Sequence, residues 1–231
     1  KYLYVSWILW AFLVVRNTAV NQQIGGGDIP FYSKLQGISN VEFITFNYTS
    51  FLEDAKLSGK TNYFHGYLKE YIRLDNRDFF TISNDQLHNP LGFFKENISS
   101  VIDFENKVFL IPGIIPPLRL KPVISQEFIE RWYTANETIK ESDTIIVVGY
   151  SFAYADEHFN DIIRKNSNKN IFIINPQASM LKSSICRLLG KDEKSFTSTK
   201  WKSIFNMYQS GKIKIIEAKA DEIDYTDIIK I

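Results

Sequence analysis

The stretch Val41–Glu53, VEFITFNYTSFLE, decides the fold. Its apolar, β-branched run, Val41–Phe46, predicts a strand that stops at Asn47, and the residues after it favour a helix. Strand, polar residue and helix in this order are typical of an open α/β sheet, where ligands bind at the carboxyl ends of strands. We therefore expect Asn47 at a strand tip. A helix N-cap explains an asparagine there as well as a ligand contact does.

Three other predicted strands end in the same way. Their tips carry His65-Gly66 after Thr61–Phe64, Gly149-Tyr150-Ser151 after Thr144–Val148, and Asn175-Pro176 after Ile171–Ile174. Parallel strands bring their carboxyl ends to one edge of a sheet. We expect these three tips and Asn47 to line one pocket.

Each tip allows a structural interpretation beside the functional one. The imidazole of His65 can act as a general base, or it can be a hydrogen-bonded structural histidine. Gly149 and Ser151 suit phosphate or ribose, or a tight turn; position 153 is alanine, so Ser151 does not form a nucleophile elbow. Asp156 can complement the following helix dipole, and Asn175 can bind a ribose hydroxyl or start an Asn-Pro turn.

The remaining elements complete an α/β pattern. Helices are predicted over 31–37, 49–57, 125–140, 155–165, 178–189, 198–208 and 221–229, and further strands over 108–111 and, at a sheet edge, 212–217. The mixed polarity of 67–109 suggests a helical insertion at about 67–125. We expect one Rossmann-like domain over 1–231, with a mostly parallel sheet and helices on both faces.

The first residues are apolar. Tyr2–Val15 predicts a buried helix or strand of the core, with membrane association as the minority alternative, since about 20 apolar residues are needed to span a bilayer. The residues 17–30, with three glycines at 25–27, predict a loop; such a triplet can also cradle a phosphate. Because the chain begins at Lys1 without an initiator methionine, we expect it to be a piece of a longer protein.

Composition limits the function. With 27 basic and 26 acidic residues, the chain has no basic excess that would indicate nucleic acid binding. One cysteine, Cys186, excludes an internal disulfide framework and a cysteine-rich zinc site, and predicts a reducing, cytoplasmic setting. The three histidines are far apart and show no metal-ligand spacing, so no metal cofactor is expected.

The motifs together resemble a known family. They are Phe46-Asn47-Tyr48-Thr49, Phe64-His65-Gly66, Pro116-Pro117 with Lys121, VVGYSF at 147–152 with Asp156, and IINP at 173–176. In this order they resemble the SIR2-like domain, in particular the bacterial SIR2-like proteins of anti-phage defence, and show some similarity to the AbiH abortive-infection proteins. The resemblance covers about 41–177.

The resemblance implies an NAD-binding fold that cleaves the nicotinamide–ribose bond without a metal. Asn47 matches the catalytic asparagine that holds the ribose and positions water, and His65 matches the catalytic base. The positions that match cofactor contacts are Phe46, Tyr48, Gly149, Tyr150, Ser151, Asp156 and Asn175.

The sequence departs from the family in three places. The glycine-rich first turn that holds the pyrophosphate is not found, Thr49 stands where many members carry aspartate, and the zinc module of deacetylases is missing. The expected activity is NAD+ hydrolysis in abortive infection, with a homo-oligomer or a companion sensor module as partner. An inactive NAD- or ADP-ribose-binding module, an NAD-dependent deacylase or ADP-ribosyltransferase, and a membrane-associated toxin remain alternatives.

Overall fold

The computed structural model describes residues 2–24, 29–73, 75–89, 102–103, 108–118 and 125–229. These residues form two compact units, each treated by itself below. The first comprises Lys1–Tyr32 and Gln36–Ala135, and the second comprises Ser33–Leu35 and Asn136–Ile231.

The first unit contains short strands between helices. Its elements are α1 (Tyr2–Ile24), α2 (Pro30–Ser33), β1 (Phe43–Thr45), α3 (Phe51–Asp54), β2 (Thr61–Tyr63), β3 (Gly66–Arg73), β4 (Phe79–Thr81), α4 (Asn84–His88), β5 (Ile102–Asp103), β6 (Val108–Ile114) and the start of α5 (Gln126–Glu141). Strands β1 and β2 are parallel, with Thr45 paired to Tyr63. The other four strands form an antiparallel sheet in the order β4-β3-β6-β5.

Helix α1 packs one face against β3. Trp10 and Val14 are buried with Leu68 and Tyr71, and the Trp10 indole N–H donates to the Leu68 carbonyl at 2.9 Å. The predicted core helix is therefore present, but it continues to Ile24, where a loop was expected. No described helix combines the length and the apolar character needed to cross a bilayer.

The described part of the predicted helical insertion is mostly sheet, with one short helix, α4. The expectation was wrong for 67–73 and 79–81, which lie in strands β3 and β4, whereas the strand predicted over 108–111 is confirmed as part of β6. Lys69 and Glu70 made β3 look polar, but both are neutralised inside the unit. Lys69 pairs with Glu53 at 2.8 Å, and Glu70 pairs with Arg131 at 2.7 Å. Paired charges of this kind can lie in a buried strand, whereas unpaired ones cannot.

The second unit is a mixed sheet with helices. It contains the end of α5, β7 (Thr144–Val148), α6 (Glu157–Lys165), β8 (Asn170–Ile174), α7 (Ala178–Leu189), β9 (Thr197–Trp201), β10 (Phe205–Ser210), β11 (Ile213–Ile216) and α8 (Thr226–Ile229), with 3₁₀ turns at Tyr154–Asp156, Glu193–Ser195 and Ala220–Glu222. The strand order is β7-β8-β11-β10-β9. β7, β8 and β11 are parallel, and β10 and β9 are antiparallel to their neighbours.

Two predictions in this unit were wrong. The residues 198–208 form the hairpin β9–β10 instead of a helix. Lys202 and Ser203 take φ values of 47° and 63°, and the Ile204 N–H donates to the Trp201 carbonyl, which is the geometry of a type I′ turn. Without the usual Asn-Gly pair, the sequence gives little sign of that turn. Strand β11 was expected at an edge but lies between β8 and β10.

Candidate active site

Asn47 and His65 follow neighbouring parallel strands at the same level. Thr45 and Tyr63 are the last paired residues of β1 and β2, and each candidate stands two positions further on. The Phe64 N–H donates to the Thr45 carbonyl at 3.0 Å, which extends the pairing beyond the strands. The first unit thus brings these two predicted catalytic residues to one end of its parallel pair.

Asn47 is not a helix cap. Helix α3 begins at Phe51, and its N-cap is Ser50, whose hydroxyl donates to Asp54 at 2.8 Å. The Asn47 backbone N–H instead donates to the Thr45 hydroxyl at 3.1 Å, and the residue is exposed. This result removes the N-cap interpretation that the sequence left open, because the helix starts three residues later than a cap at Asn47 requires.

The His65 imidazole lies in an aromatic cage. The ring is buried, with 4% of the residue exposed, and it contacts Phe46 edge-on at 5.0 Å and Phe64 at 5.3 Å between ring centroids. Tyr48 stacks near it at 6.5 Å. The two aromatic residues on either side of Asn47 therefore hold the histidine, a role distinct from the cofactor contact that the resemblance implies for them.

Gly66 shapes the turn behind His65. It has φ +89°, and a Cβ there would lie 1.9 Å from the Gly113 carbonyl oxygen. The His65 carbonyl accepts from the Ile115 N–H at 2.7 Å, and the Tyr48 hydroxyl donates to the Ile115 carbonyl at 2.6 Å. This glycine serves close backbone packing against β6. The backbone of His65 and the side chain of Tyr48 are thus both held by Ile115, the residue that follows β6.

Sequence reasoning missed a group of polar side chains in the same unit. Tyr32, in α2, is half-buried and lies near the Asn47 side chain. The Tyr67 hydroxyl donates to Glu53, and the Lys69 ammonium lies 5.1 Å from the centre of the Tyr67 ring. Tyr63 stacks on Tyr67 with centroids 4.3 Å apart. The strand periodicity of 66–73 could have placed Tyr67 and Lys69 on one face, had those residues been predicted as a strand.

The titration of this group follows its burial. Burial raises the pKa of the Tyr32 phenol, and the nearby Asn47 side chain partly offsets the rise. Burial also acts to raise the pKa of Glu53, but hydrogen bonds from Lys69 and Tyr67 outweigh it and leave that pKa below its ordinary value. Burial and the bond to Glu53 raise the pKa of Tyr67 far above neutrality. The phenols are therefore neutral and Glu53 is ionised at pH 7.

The second unit brings its own candidates together at the ends of β7 and β8. Val148 pairs with Ile174, so Gly149 and Asn175 are neighbours just beyond the sheet. The Gly149 N–H donates to the Ile174 carbonyl at 3.0 Å. Gly149 has φ +65°, and a Cβ there would meet no atom within 4 Å. The positive φ favours glycine at this position, and the space beside its Cα is open.

Some polar side chains of this second group form hydrogen bonds within the unit itself. The Asn175 carboxamide oxygen accepts from the Gln177 N–H at 2.8 Å, which is the Asn-Pro turn that the sequence allowed. The Tyr150 hydroxyl donates to Asn160 at 3.0 Å. Asp156 precedes α6 without a capping hydrogen bond from its side chain. Ser151 is exposed.

Some predicted features lie outside the described residues. They are the glycines at 25–27 and Lys121, a part of the motif set on which the resemblance rests. Thr49 is described and half-buried. Within the described ranges, no group of three or more His, Cys, Asp or Glu side chains is arranged to hold a metal ion.

Comparison with known proteins identifies the fold. No protein-family model and no curated protein matches the chain. A structure of SIR2 with the inhibitor EX-527, 2′-O-acetyl-ADP-ribose and a deacetylated p53 peptide matches 87% of this chain and 71% of that chain, with a TM-score of 0.51 and 13% identity. The chain therefore has a SIR2-like, Rossmann-like α/β fold, as the sequence predicted.

Two further solved structures match less well. They are a mutant Sir2 homologue with ADP-ribose (TM-score 0.48, 17% identity, 73% of this chain and 61% of that chain) and Sir2 with a p53 peptide and NAD+ (TM-score 0.47, 17% identity, 64% and 58%). The chain spans less than two thirds of the length of either protein.

The first unit thus presents an exposed carboxamide close to a buried imidazole. A carboxamide both donates and accepts, so Asn47 can hold a hydroxyl group or a water molecule. An imidazole titrates near neutral pH and can accept a proton. Together they are suited to holding a hydroxyl group or a water molecule and taking a proton from it, so that it can react with a bound polar ligand.

Proposed function

We propose, on the basis of the SIR2-like fold, that this chain hydrolyses the bond between nicotinamide and ribose in NAD. The observation that carries the proposal is the pair of Asn47 and His65 beyond the parallel strands β1 and β2, with the cap role of Asn47 removed. The SIR2 structure that shares the fold was solved with 2′-O-acetyl-ADP-ribose, which supports a ligand of this class.

The proposed reaction needs no metal. The C1′–nitrogen bond breaks and its electron pair goes to the nicotinamide ring, which leaves as a neutral molecule. Water forms the new bond to C1′ and loses a proton, so the products are nicotinamide, ADP-ribose and H⁺. The ribose passes through an oxocarbenium-like state, and orientation of the water is the main task of the protein.

Each candidate site residue has a role in this proposal. Asn47 accepts from the attacking water and holds the ribose, and His65 takes a proton at the ribose hydroxyls. Phe46 and Tyr48 orient His65 by ring packing. The resemblance also assigns nucleotide contacts to Gly149, Tyr150, Ser151, Asp156 and Asn175 of the second unit. The open space at Gly149 and the exposed Ser151 suit such contacts.

The wider setting follows from the same resemblance. We place the chain among bacterial SIR2-like proteins of anti-phage defence, where NAD loss stops the infected cell. A homo-oligomer or a companion sensor module would control it. Expression of the active chain is then expected to lower cellular NAD, and His65→Ala is expected to prevent that loss.

The direct test is nicotinamide release from NAD by the purified chain. His65→Ala and Asn47→Ala are each expected to lower the rate by about 100-fold or more, since positioned acid–base groups contribute about 10²–10⁴. His158→Ala is the matched control, because His158 is an exposed histidine of α6. Equal turnover by the wild type and both site variants would sink the assignment.

The second candidate is a module that binds NAD or ADP-ribose without turnover. Thr49, which stands where many similar proteins carry aspartate, favours it. This candidate predicts calorimetric binding of both nucleotides with no nicotinamide released. A deacylase would instead release nicotinamide only when an acylated peptide is added, and the peptide in the SIR2 structure motivates that arm of the assay.

A further inference from the structure

Three strand tips of the second unit stand side by side. Strands β7, β8 and β11 are paired in register to their last residues, so the residues that follow them, Gly149, Asn175 and Glu217, form a row along one end of the sheet. The Gly149 N–H donates to the Ile174 carbonyl at 3.0 Å. The Asn175 N–H continues the pattern and donates to the Ile216 carbonyl at 3.1 Å. Because neighbouring strands lie about 4.8 Å apart, adjacent residues of this row can contact one small chemical group.

Glu217, which the sequence marked only as the end of a predicted strand, is held at its carboxylate. The Ser179 hydroxyl donates to Oε1 at 3.0 Å, and the Asn206 amide donates to Oε2 at 2.8 Å. These bonds, that from Asn206 foremost, lower the pKa of Glu217, so the carboxylate is ionised at pH 7. The two oxygens of a carboxylate together accept about four hydrogen bonds, so each keeps a position for a ligand.

The other two members of the row supply a donor and a space. The Asn175 carboxamide oxygen accepts from the Gln177 N–H at 2.8 Å, which fixes the amide and leaves its N–H groups as donors. Gly149 has no side chain, and a Cβ there would meet no atom within 4 Å. The row therefore combines an N–H donor, an anionic acceptor and open space at adjacent positions.

We propose that Glu217 binds the hydroxyl groups of the adenosine ribose and thereby selects NAD over NADP, which carries a 2′-phosphate. The inference rests on the proposed NAD hydrolysis and adds a residue from outside the motif set. A ribose diol offers two neighbouring hydroxyl groups, each of which donates and accepts. One can donate to the Glu217 carboxylate while the other accepts from the Asn175 amide. Dinucleotide-binding α/β folds use a carboxylate for the same 2′-hydroxyl group.

Charge makes this site selective. A 2′-phosphate carries about −1.5 to −2 charges at pH 7, so it replaces a hydroxyl donor with an anion beside the Glu217 carboxylate. The basic side chain of this network, Lys200, donates to the Asn206 carboxamide oxygen at 2.7 Å and forms no ion pair with Glu217 among the residues described. Repulsion between the two anions is therefore expected to weaken the binding of NADP.

Calorimetric binding to the full chain tests the selection without turnover. Wild type is expected to bind ADP-ribose at least about tenfold more tightly than 2′-phospho-ADP-ribose, the value of a hydrogen bond to a charged group. Glu217→Gln keeps the shape of the side chain and removes its charge, so this preference is expected to fall below about threefold. Glu193→Gln is the matched control, because Glu193 is an exposed glutamate of the 3₁₀ turn Glu193–Ser195.

A charge reversal separates selection from damage to the fold. Glu217→Lys is expected to bind 2′-phospho-ADP-ribose more tightly than ADP-ribose, a result that partial unfolding cannot produce. Equal affinities in the wild type, an unchanged preference in Glu217→Gln, or the same loss in Glu193→Gln would overturn the inference. A wild type that binds neither nucleotide would also overturn it.

Nicotinamide release from NAD and from NADP separates this inference from the proposed function. Release from both at equal kcat/KM overturns the role of Glu217 and leaves NAD hydrolysis standing. Binding of ADP-ribose that depends on Glu217, without any release of nicotinamide, overturns the hydrolysis and supports the binding role.

Discussion

Asn47 and Asn175 both follow a buried parallel strand, yet the two units use them differently. In the second unit, Asn175 is 8% exposed, and its oxygen accepts from the Gln177 N–H to form the turn. In the first unit, Asn47 is exposed and other groups hold its loop: Thr45 binds its backbone, and Tyr48 bonds to Ile115. The turn after β8 thus uses the carboxamide oxygen of Asn175, whereas the turn after β1 is held without the Asn47 side chain.

The largest expected difference in stability is between two glycines at strand tips, Gly66 in the first unit and Gly149 in the second. Gly66→Ala places a Cβ 1.9 Å from a backbone oxygen at a positive φ, so we expect a loss of at least about 3 kcal/mol in the free energy of unfolding. Gly149→Ala meets no atom within 4 Å, and only the left-handed backbone angle costs about 1–2 kcal/mol. Urea unfolding of both variants measures the contrast. Equal losses would mean that the strand tips are equally crowded.

Two buried asparagines, one in each unit, are expected to change stability in opposite directions when replaced by leucine. Asn160, in α6, accepts from Tyr150 and donates to the Ala153 carbonyl, so Asn160→Leu is expected to destabilise the protein by about 3 kcal/mol. Asn17, in α1, is equally buried, but its amide atoms have no hydrogen-bond partner within the described residues. Asn17→Leu is therefore expected to stabilise the protein by about 1 kcal/mol. Thermal unfolding of the pair gives the sign of each change.

The asparagines at the tips themselves should differ by a smaller amount. Asn175→Ala leaves the Gln177 N–H without its acceptor and is expected to cost about 1 kcal/mol in the free energy of unfolding. Asn47→Ala is expected to change that free energy by less than about 0.5 kcal/mol, as for an exposed residue. Denaturant midpoints measure both. A larger loss from Asn47→Ala would make that residue structural.

The smallest expected effect is in the pH dependence of stability. Glu53 has a lowered pKa in the folded state, so its contribution is present above its unfolded pKa of about 4.3 and is lost as pH falls through the lower folded value. Its side chain is 52% exposed, so we expect less than about 1 kcal/mol. Glu53→Gln should therefore reduce the change in the free energy of unfolding between about pH 4.5 and 2.

Glu217 is the matched residue in the second unit. The Asn206 hydrogen bond lowers its pKa. Glu217→Gln should reduce the pH dependence of the free energy of unfolding over the same pH range, independently of Glu53. If Glu53→Gln leaves the acid limb of the stability curve unchanged, the contact with Lys69 and Tyr67 contributes nothing measurable to stability.

Local patterns were enough for much of the fold. The uninterrupted apolar runs of β7 and β8 and the helical periodicity of α5 were predicted close to their observed bounds, because burial on both faces or one face leaves a direct pattern in the sequence. Strand β3 and the β9–β10 hairpin were missed. Lys69 and Glu70 hide β3, and a type I′ turn at Lys202 and Ser203 carries no glycine.

The sequence by itself determined the α/β class, the strand tips and the residue types at them, since these depend on neighbours within a few positions along the chain. The tertiary structure decided which tip residues their own turns use, and that Tyr48 and His65 both hydrogen-bond to Ile115. The physical reason is that a hydrogen bond between residues far apart in sequence depends on distance and direction in the folded chain. No local pattern of residues fixes those two quantities.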